Sequence, residues 1–260
     1  ELPAAYNRYS RASKASDKVA RDAQVAIFAP LFATSFMLDD WLTSEEVFGS
    51  DVLVVSSASS KTALALAWLV NNNSRIDVGL VGLTSPRNDE FVESTGLYDR
   101  VVAYPDIELL DQDTATTYLD FSGSRDLKQA VHNHFGDSLK GSIAVGVTAW
   151  DKIEPAPDEA ALPGAAPVFF FAPEHIARRT EDWGGPELWK KIGVQQEEFI
   201  ISSDAWLHVK HGEGRDAISV GIWNITKEAR AEISARCGIP LEVVAGWFDA
   251  SFDPRLPEQQ

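Results

Sequence analysis

Cysteine is close to absent from this sequence: Cys237 is the single one among 260 residues. One thiol cannot close an intrachain disulfide or build a thiolate-rich zinc site, so a disulfide scaffold and a zinc finger are both excluded. The same scarcity fits a reducing, cytoplasmic compartment. In "ARCGIP", at an expected helix end, Cys237 reads as structural rather than nucleophilic. Long apolar runs are missing too. No stretch of about 18 apolar residues occurs, so a membrane-spanning helix is not expected. Positive charge is scarce: 23 Lys and Arg face 39 Asp and Glu, for a net charge of −16 and a pI near 4.7. That is the reverse of the basic footprint of a nucleic-acid or anionic-membrane binder. The opening "ELPAAYNRYSRAS" has no Met, no charged and apolar leader and no complete element. Residues upstream are therefore expected to be missing, and no secretory signal is read.

Hydrophobic residues make up 45% of the chain and aromatics 10%, enough for a sizeable core in one large domain or one domain with appendages. From residue 51 the pattern becomes regular. "DVLVV" (51–55) is a continuous apolar run, as expected of a strand covered on both faces. Further strands are expected at 76–84, 98–104, 116–123, 141–150 and 167–173. Between them, helices are expected in "KTALALAWLVNNN", in "PRNDEFVESTG" stopped by Gly96, and in "SRDLKQAVHNHFGDSL" closed by Gly136. This alternation predicts an α/β fold: a doubly wound, parallel, Rossmann-type sheet with helices on both faces. The proline- and acid-rich stretch 151–166 reads as a surface excursion. Residues 25–49 read as one or two apolar helices packed on the sheet. The region 181–238 mixes amphipathic helices with one strand, "AWLHVKH" (205–211).

A local absence matters most. The corner after the first strand, "VSSASSKT" (55–62), contains no glycine. A P-loop needs G-x-x-x-x-G-K-[ST], and only Lys61 and Thr62 survive of it, so that motif is rejected. The dinucleotide fingerprint G-x-G-x-x-G/A places its glycines at Ser57, Ser59 and Thr62, or one residue away, and is absent as a string. Its physics does not need the string. Small side chains allow close approach, and a helix N-terminus offers free amides and a positive dipole end, while the serines and Lys61 add donors. A serine-rich turn that merely caps its helix well is the competing reading. The end of the second strand, "GLTSPRN", bears on the choice. An NAD-preferring site carries an acid there; this chain has Thr84, Ser85, Arg87 and Asn88, which suit the 2′-phosphate of NADP. Alternatively Thr84 and Ser85 cap the next helix and Arg87 is solvated.

The strings "VLVVSSASSKTALALAWLV", "VGLTSPRNDEFVESTGLYDRVVAY", "YLDFSGS", "FGDSLKGSIAVGVTAWD" and "FFFAPEHIARR" resemble an uncharacterised domain-of-unknown-function family. That family is related to medium-chain, quinone-oxidoreductase-like dehydrogenases/reductases. The resemblance implies that residues 1–49 are a remnant of an N-terminal catalytic domain and its connecting helix. It implies a dinucleotide-binding domain at 50–175 and helices and a strand at 176–260 that return toward the catalytic part. Carried over residue by residue, Ser57, Ala58, Ser59, Ser60, Lys61 and Thr62 would meet the pyrophosphate. Thr84, Ser85, Arg87 and Asn88 would meet the adenosine phosphate, and Tyr104 would lie beside the adenine ribose. Ser122, Gly123, Gly146 and Val147 would lie near the nicotinamide. Thr34 and Ser35 match a helix start that approaches the same ring.

Catalytic groups are sparse. One cysteine and five scattered histidines do not make a zinc site. His132 and His134, two apart on an expected helix, point to different faces and read as surface residues. His208 and His211 flank a strand end and read as part of a capped turn. Ser57 or Ser59 sits where a hydrolase nucleophile would, without the glycines of its elbow. Asp39 and Asp40 in "MLDDWL" read as an acid pair or, more simply, as solvated carboxylates at a helix end. Tyr6 and Tyr9 are candidates for the general acid of a zinc-free reductase. The leading expectation is a zinc-independent, NADP-dependent oxidoreductase acting on a small carbonyl or enone. The alternatives are a Rossmann-type binding module without turnover and a serine hydrolase. The sequence leaves a homodimer open.

Overall fold

Six apolar runs assemble into one sheet in a computed structural model of the chain, which describes residues 16–145, 162–207 and 209. The chain divides into two units at residue 208, and the second lies outside the described residues except for Val209. The strands are Val52–Val55 (β1), Gly79–Thr84 (β2), Arg100–Ala103 (β3), Thr116–Asp120 (β4), Leu139–Val145 (β5) and Pro167–Phe170 (β6). They lie in the order β3-β2-β1-β4-β5-β6, and every pairing is parallel. This is the expected doubly wound α/β sheet. Its central strands are continuous apolar runs because both faces are covered: Leu53, Val54 and Val55 are all buried.

The helices are Ser16–Ser44 (α1), Lys61–Asn71 (α2), Asp89–Ser94 (α3), Arg125–Phe135 (α4), Ala172–Trp183 (α5) and Gly185–Ser203 (α6). On one face Phe28, Phe32, Leu66 and Phe199 pack with Leu53, Val55, Leu119 and Ile143. On the other, Leu127, Val131 and Phe135 of α4 pack with Val54, Leu83 and Tyr118. α2 is apolar almost all round, and Ala63 to Ala67 are all buried, because it is sandwiched between the sheet and α1. α1 bends by 54° between Arg21–Ala29 and Leu31–Ser44, at Pro30, which has no amide to donate to the preceding turn. No single helix among the described residues is long and apolar enough to cross a membrane.

Several expectations need correction. The apolar helix expected at 25–49 starts earlier, at Ser16, and ends in a left-handed turn. There Glu46, Val47, Phe48 and Gly49 have φ of 49, 52, 58 and 70°. Such a conformation costs about 1–2 kcal/mol for each side-chain-bearing residue. It is offset by burial of Val47 and by Phe48 packing edge-on to Trp41, with centroids 5.5 Å apart. β6 stops at Phe170 rather than 173, since Pro173 sits in the first turn of α5, where a missing amide is harmless. Of the strand expected at 205–211, Ala205–Leu207 lie in no strand. Trp206 instead follows α6 and packs on Phe28 and Phe199. His208, Lys210 and His211 lie outside the described residues, as does most of the 151–166 stretch. His132 is fully buried rather than on the surface. Its ring bridges the Pro163 carbonyl (2.8 Å) and Ser142 Oγ (2.9 Å), partners that make a polar ring tolerable in the core. Asp39 and Asp40 are also buried, not solvated, because α1 runs on past them to Ser44.

The corner after β1 depends on a glycine that lies on β2. A Cβ at Gly82 would come 3.0 Å from Ala58 Cβ and 3.0 Å from the Tyr98 ring, whereas one at Gly79 would make ordinary contacts with Val52 Cγ2 at 3.4 Å and the Asp51 carbonyl at 3.7 Å. Gly82→Ala should therefore lower stability by about 1–3 kcal/mol through overpacking. Gly79→Ala should be nearly neutral. Urea midpoints of the two variants give the comparison.

Candidate functional site

β1 and β4 are neighbours, yet the chain leaves β1 toward β2 and leaves β4 toward β5. The crevice above their C-terminal ends is where doubly wound sheets bind ligands. Residues 56–60 form one wall of it. Ser57 adopts φ 49°, the left-handed geometry for which a fingerprint would use glycine. Its amide donates to Tyr104 Oη at 3.1 Å. Ala58 is fully buried against Gly82. Its amide donates to the Leu83 carbonyl at 3.1 Å, and its own carbonyl accepts from Tyr98 Oη at 3.0 Å. Ser60 caps α2, accepting from the Ala63 amide at 3.3 Å. The amides of Ser59, Lys61 and Thr62 have no partner among the described residues. This is the usual state of a helix start, with the positive end of its dipole facing outward.

The second wall is built on Asp120 at the end of β4. Its Oδ1 accepts from Ser56 Oγ (3.1 Å), the Ser122 amide (2.9 Å), Ser122 Oγ (2.7 Å) and the Gly123 amide (3.0 Å). Ser56 Oγ in turn accepts from the amides of Phe121 (2.9 Å) and Ser122 (3.1 Å). The two strand ends flanking the crevice are thereby tied together. Four buried polar atoms at this edge have no hydrogen-bond partner among the described residues: Thr84 Oγ1, Ser85 Oγ, Tyr118 Oη and Asp120 Oδ2. Each such group costs about 1–3 kcal/mol, a burden with no structural reward. Burial, and then the Asp120 carboxylate nearby, push the Tyr118 hydroxyl above the ordinary phenol range; burial does the same to Tyr98.

The structure brings together Ser57, Ala58, Ser59, Ser60, Tyr104, Ser122 and Gly123. Asn88 joins them, donating from Nδ2 to Ser59 Oγ at 3.2 Å. Thr84 and Ser85 lie at the adjoining strand end, while Lys61 and Arg87 are exposed beside it. Thr34 is not at a helix start but inside α1, one turn beyond the bend. Its neighbour Ser35 is buried and donates to the Thr62 carbonyl at 2.8 Å, fixing α1 to the first turn of α2. Gly146, Val147, Tyr6, Tyr9 and Cys237 lie outside the described residues. None of the described histidines contacts Ser57 or Ser59: His132 is committed as above, His134 meets the Leu110 carbonyl and His175 stacks on Phe170. Sequence reasoning missed Ser56, Gly82, Tyr98 and Asp120. Only Asp120 left a local signal, an acid closing an apolar run with Ser and Gly two and three residues on.

A second concavity, of about 810 Å³, lies at the far end of α2 and is lined by Asp39, Asp40, Trp68, Asn73, Trp183 and Lys191 among others. Its two buried acids have partners within the fold. Asn73 Nδ2 donates to both oxygens of Asp39 at 3.1 Å, and Asp40 pairs with Arg179 Nε at 2.6 Å. It reads as a polar seam between α1, α2, α5 and α6.

One family, described as "Protein of unknown function (DUF2855)", has a model that matches residues 1–231. No curated protein and no solved structure matches the chain. None of these comparisons links the family to medium-chain dehydrogenases.

Asp39 generates a prediction about stability. Burial outweighs the Asn73 hydrogen bonds and the Arg75 charge and pushes its carboxyl up to about 6 from the ordinary 3.8. The folded chain therefore takes up a proton that the unfolded chain lacks between about pH 4 and 6. Stability should fall as pH rises through that window and level off above it. Asp39→Asn should flatten this slope and raise stability at pH 7.5 by up to about 3 kcal/mol. Urea unfolding at pH 4.5 and pH 7.5 measures both effects.

Proposed function

The chain belongs to the DUF2855 family, and we propose that it is a zinc-independent, NADP-dependent oxidoreductase of the medium-chain reductase kind. In this reading hydride passes between the nicotinamide and a small carbonyl or enone at the C-terminal edge of the sheet. One observation carries it. The glycine-free corner still makes the left-handed turn at Ser57, still brings the backbone within a methyl contact of β2, and still leaves amides unpaired at the start of α2. The tight turn and the close approach are services for which the dinucleotide fingerprint uses glycine, and the free amides are what its helix start offers a phosphate.

The residues fit such a cofactor. The amides of Ser59, Lys61 and Thr62 would hold the pyrophosphate. Arg87, exposed at the end of β2, would meet the 2′-phosphate, with Asn88 and Ser59 already joined beside it. The orphaned Thr84 and Ser85 hydroxyls at the same strand end favour a polar ligand over a bare structural edge. When bound, the cofactor supplies the hydride chemistry. The chain's own part is to orient it and to exclude water beneath it, through the buried Ser56–Asp120 link. A cytoplasmic setting and a small-molecule substrate belong to the same reading.

Fluorescence titration should show NADPH binding in the micromolar range and NADH binding more weakly. Arg87→Ala should reduce NADPH affinity by about 1–3 kcal/mol, the loss of a charge-assisted hydrogen bond, with little effect on NADH. No binding of either below the millimolar range would overturn the reading. Binding without reductase activity across an aldehyde and enone panel would mark a module without turnover.

A further inference from the structure

The Ser57 amide is not open to a ligand in the chain as folded. Tyr104, at the end of β3 and 47 residues away in sequence, accepts its hydrogen at 3.1 Å, and the same hydroxyl lies 3.5 Å from Ser57 Oγ. The next peptide is held with the opposite polarity, since Tyr98 Oη donates to the Ala58 carbonyl. The two tyrosines are not equivalent. Tyr98 satisfies an acceptor that no anion would want. Tyr104, half-buried at the rim, satisfies a donor that an anion would take. A partly buried amide on a residue held at positive φ is unfavourable when unpaired, so some acceptor must stand there when no ligand is bound. A phosphate oxygen is a stronger acceptor than a neutral phenol, because its hydrogen bonds are charge-assisted.

An independent feature points to a ligand at the same place. Thr84 lies two residues beyond Gly82, on the same face of β2, the face against which Ala58 packs. Its hydroxyl is without a partner, and the residue is 1% exposed. The strand beside the corner thus carries a buried hydroxyl without a partner among the described residues, and the corner itself an amide whose partner is a neutral phenol.

We propose that Tyr104 is a displaceable cap: its hydroxyl holds the Ser57 amide in the ligand-free protein, and a phosphate oxygen of an incoming diphosphate takes that amide over. This rests on the dinucleotide reading for the identity of the natural ligand, though not for the exchange itself. Tyr104 is accordingly a residue that sets affinity, and it sets it downward.

The test is calorimetric titration of the whole chain with two probes, inorganic pyrophosphate and NADPH. The proteins are the unmodified one, Tyr104→Phe and Tyr98→Phe, with circular dichroism confirming that each folds. Tyr104→Phe removes the competing acceptor and should tighten pyrophosphate binding about 3–10-fold. The melting temperature without ligand should fall and recover when pyrophosphate is added. Tyr98→Phe, which removes a donor rather than a competing acceptor, should lower the melting temperature without tightening pyrophosphate binding. Unchanged or weaker pyrophosphate binding by Tyr104→Phe overturns the cap, and so does equal tightening by both variants. If pyrophosphate tightens while NADPH binds none of the three proteins, the cap stands and the dinucleotide reading fails. If NADPH binds but neither probe responds to Tyr104→Phe, the reading stands and the cap fails. If neither probe binds any form, both fail.

Discussion

A strand buried on both faces gives way, within seven residues, to a helix buried nearly all round, and most of the structure follows from that corner. Val55 and Ala63 are both fully buried. The backbone entering the corner at Ser56 and Ala58 is buried, so its polar groups need partners from the fold. The Ser56 amide finds the Leu119 carbonyl of β4, the Ala58 amide the Leu83 carbonyl of β2, and the Ser60 amide the Ser57 carbonyl. The tyrosines flanking β3 take the Ser57 amide and the Ala58 carbonyl, and the amides of Ser59, Lys61 and Thr62 stay unpaired among the described residues. Strand order is thus more than an architectural label: the corner can be satisfied only because β2 and β4 flank β1 on either side.

The corner also shows how glycine's services can be moved elsewhere. A fingerprint concentrates them in one loop. In this chain the positive φ is accepted by Ser57 at a cost of about 1–2 kcal/mol. The room for close approach is provided by Gly82 on the neighbouring strand rather than by the loop itself. Helix packing at the third position is replaced by a hydrogen bond, from Ser35 on α1 to the Thr62 carbonyl. The serines then add capping acceptors that glycine lacks, as Ser60 does for Ala63. A search for the string fails on such a loop, while its geometry survives.

What could be read in the sequence divides along the same line. β1, β2 and β4 were legible because an apolar run is a local signal, and so were α2 and α4 from their caps and periodicity. The corner was legible as a polar loop between strand and helix. Its partners were not. Asp120 meets Ser56 across 64 residues and Tyr98 meets Ala58 across 40; the Ser and Gly after Asp120 signal only its own turn, and nothing near Tyr98 signals its contact. The left-handed turn at Glu46–Gly49 was invisible for a related reason: Val47 and Phe48 are poor choices locally and are held there by burial and by Trp41. His132, Asp39 and Asp40 were misread as surface groups because polarity in a sequence suggests solvent. In the fold each has a hydrogen-bond partner supplied by another part of the chain.

Charge sharpens the argument about the crevice. A chain with net charge −16 is a poor long-range attractor of any anion, but screening confines this to about 8 Å at physiological ionic strength. Only the nearest groups count. Asp89 and Glu90 sit in the first turn of α3 and oppose Arg87 close by. Asp120 lies beneath the corner, its Oδ1 covered by four donors of the chain. Asp89, Glu90 and Asp120 against Lys61 and Arg87 leave the side-chain charge at this edge slightly negative. The contribution that favours an anion is that of the backbone: fixed, unpaired amides at the head of α2, which need no reorganisation to meet an anion and are little weakened by exposed carboxylates elsewhere. The geometry of the corner, rather than the charge of the protein, is what makes an anion at this edge physically reasonable.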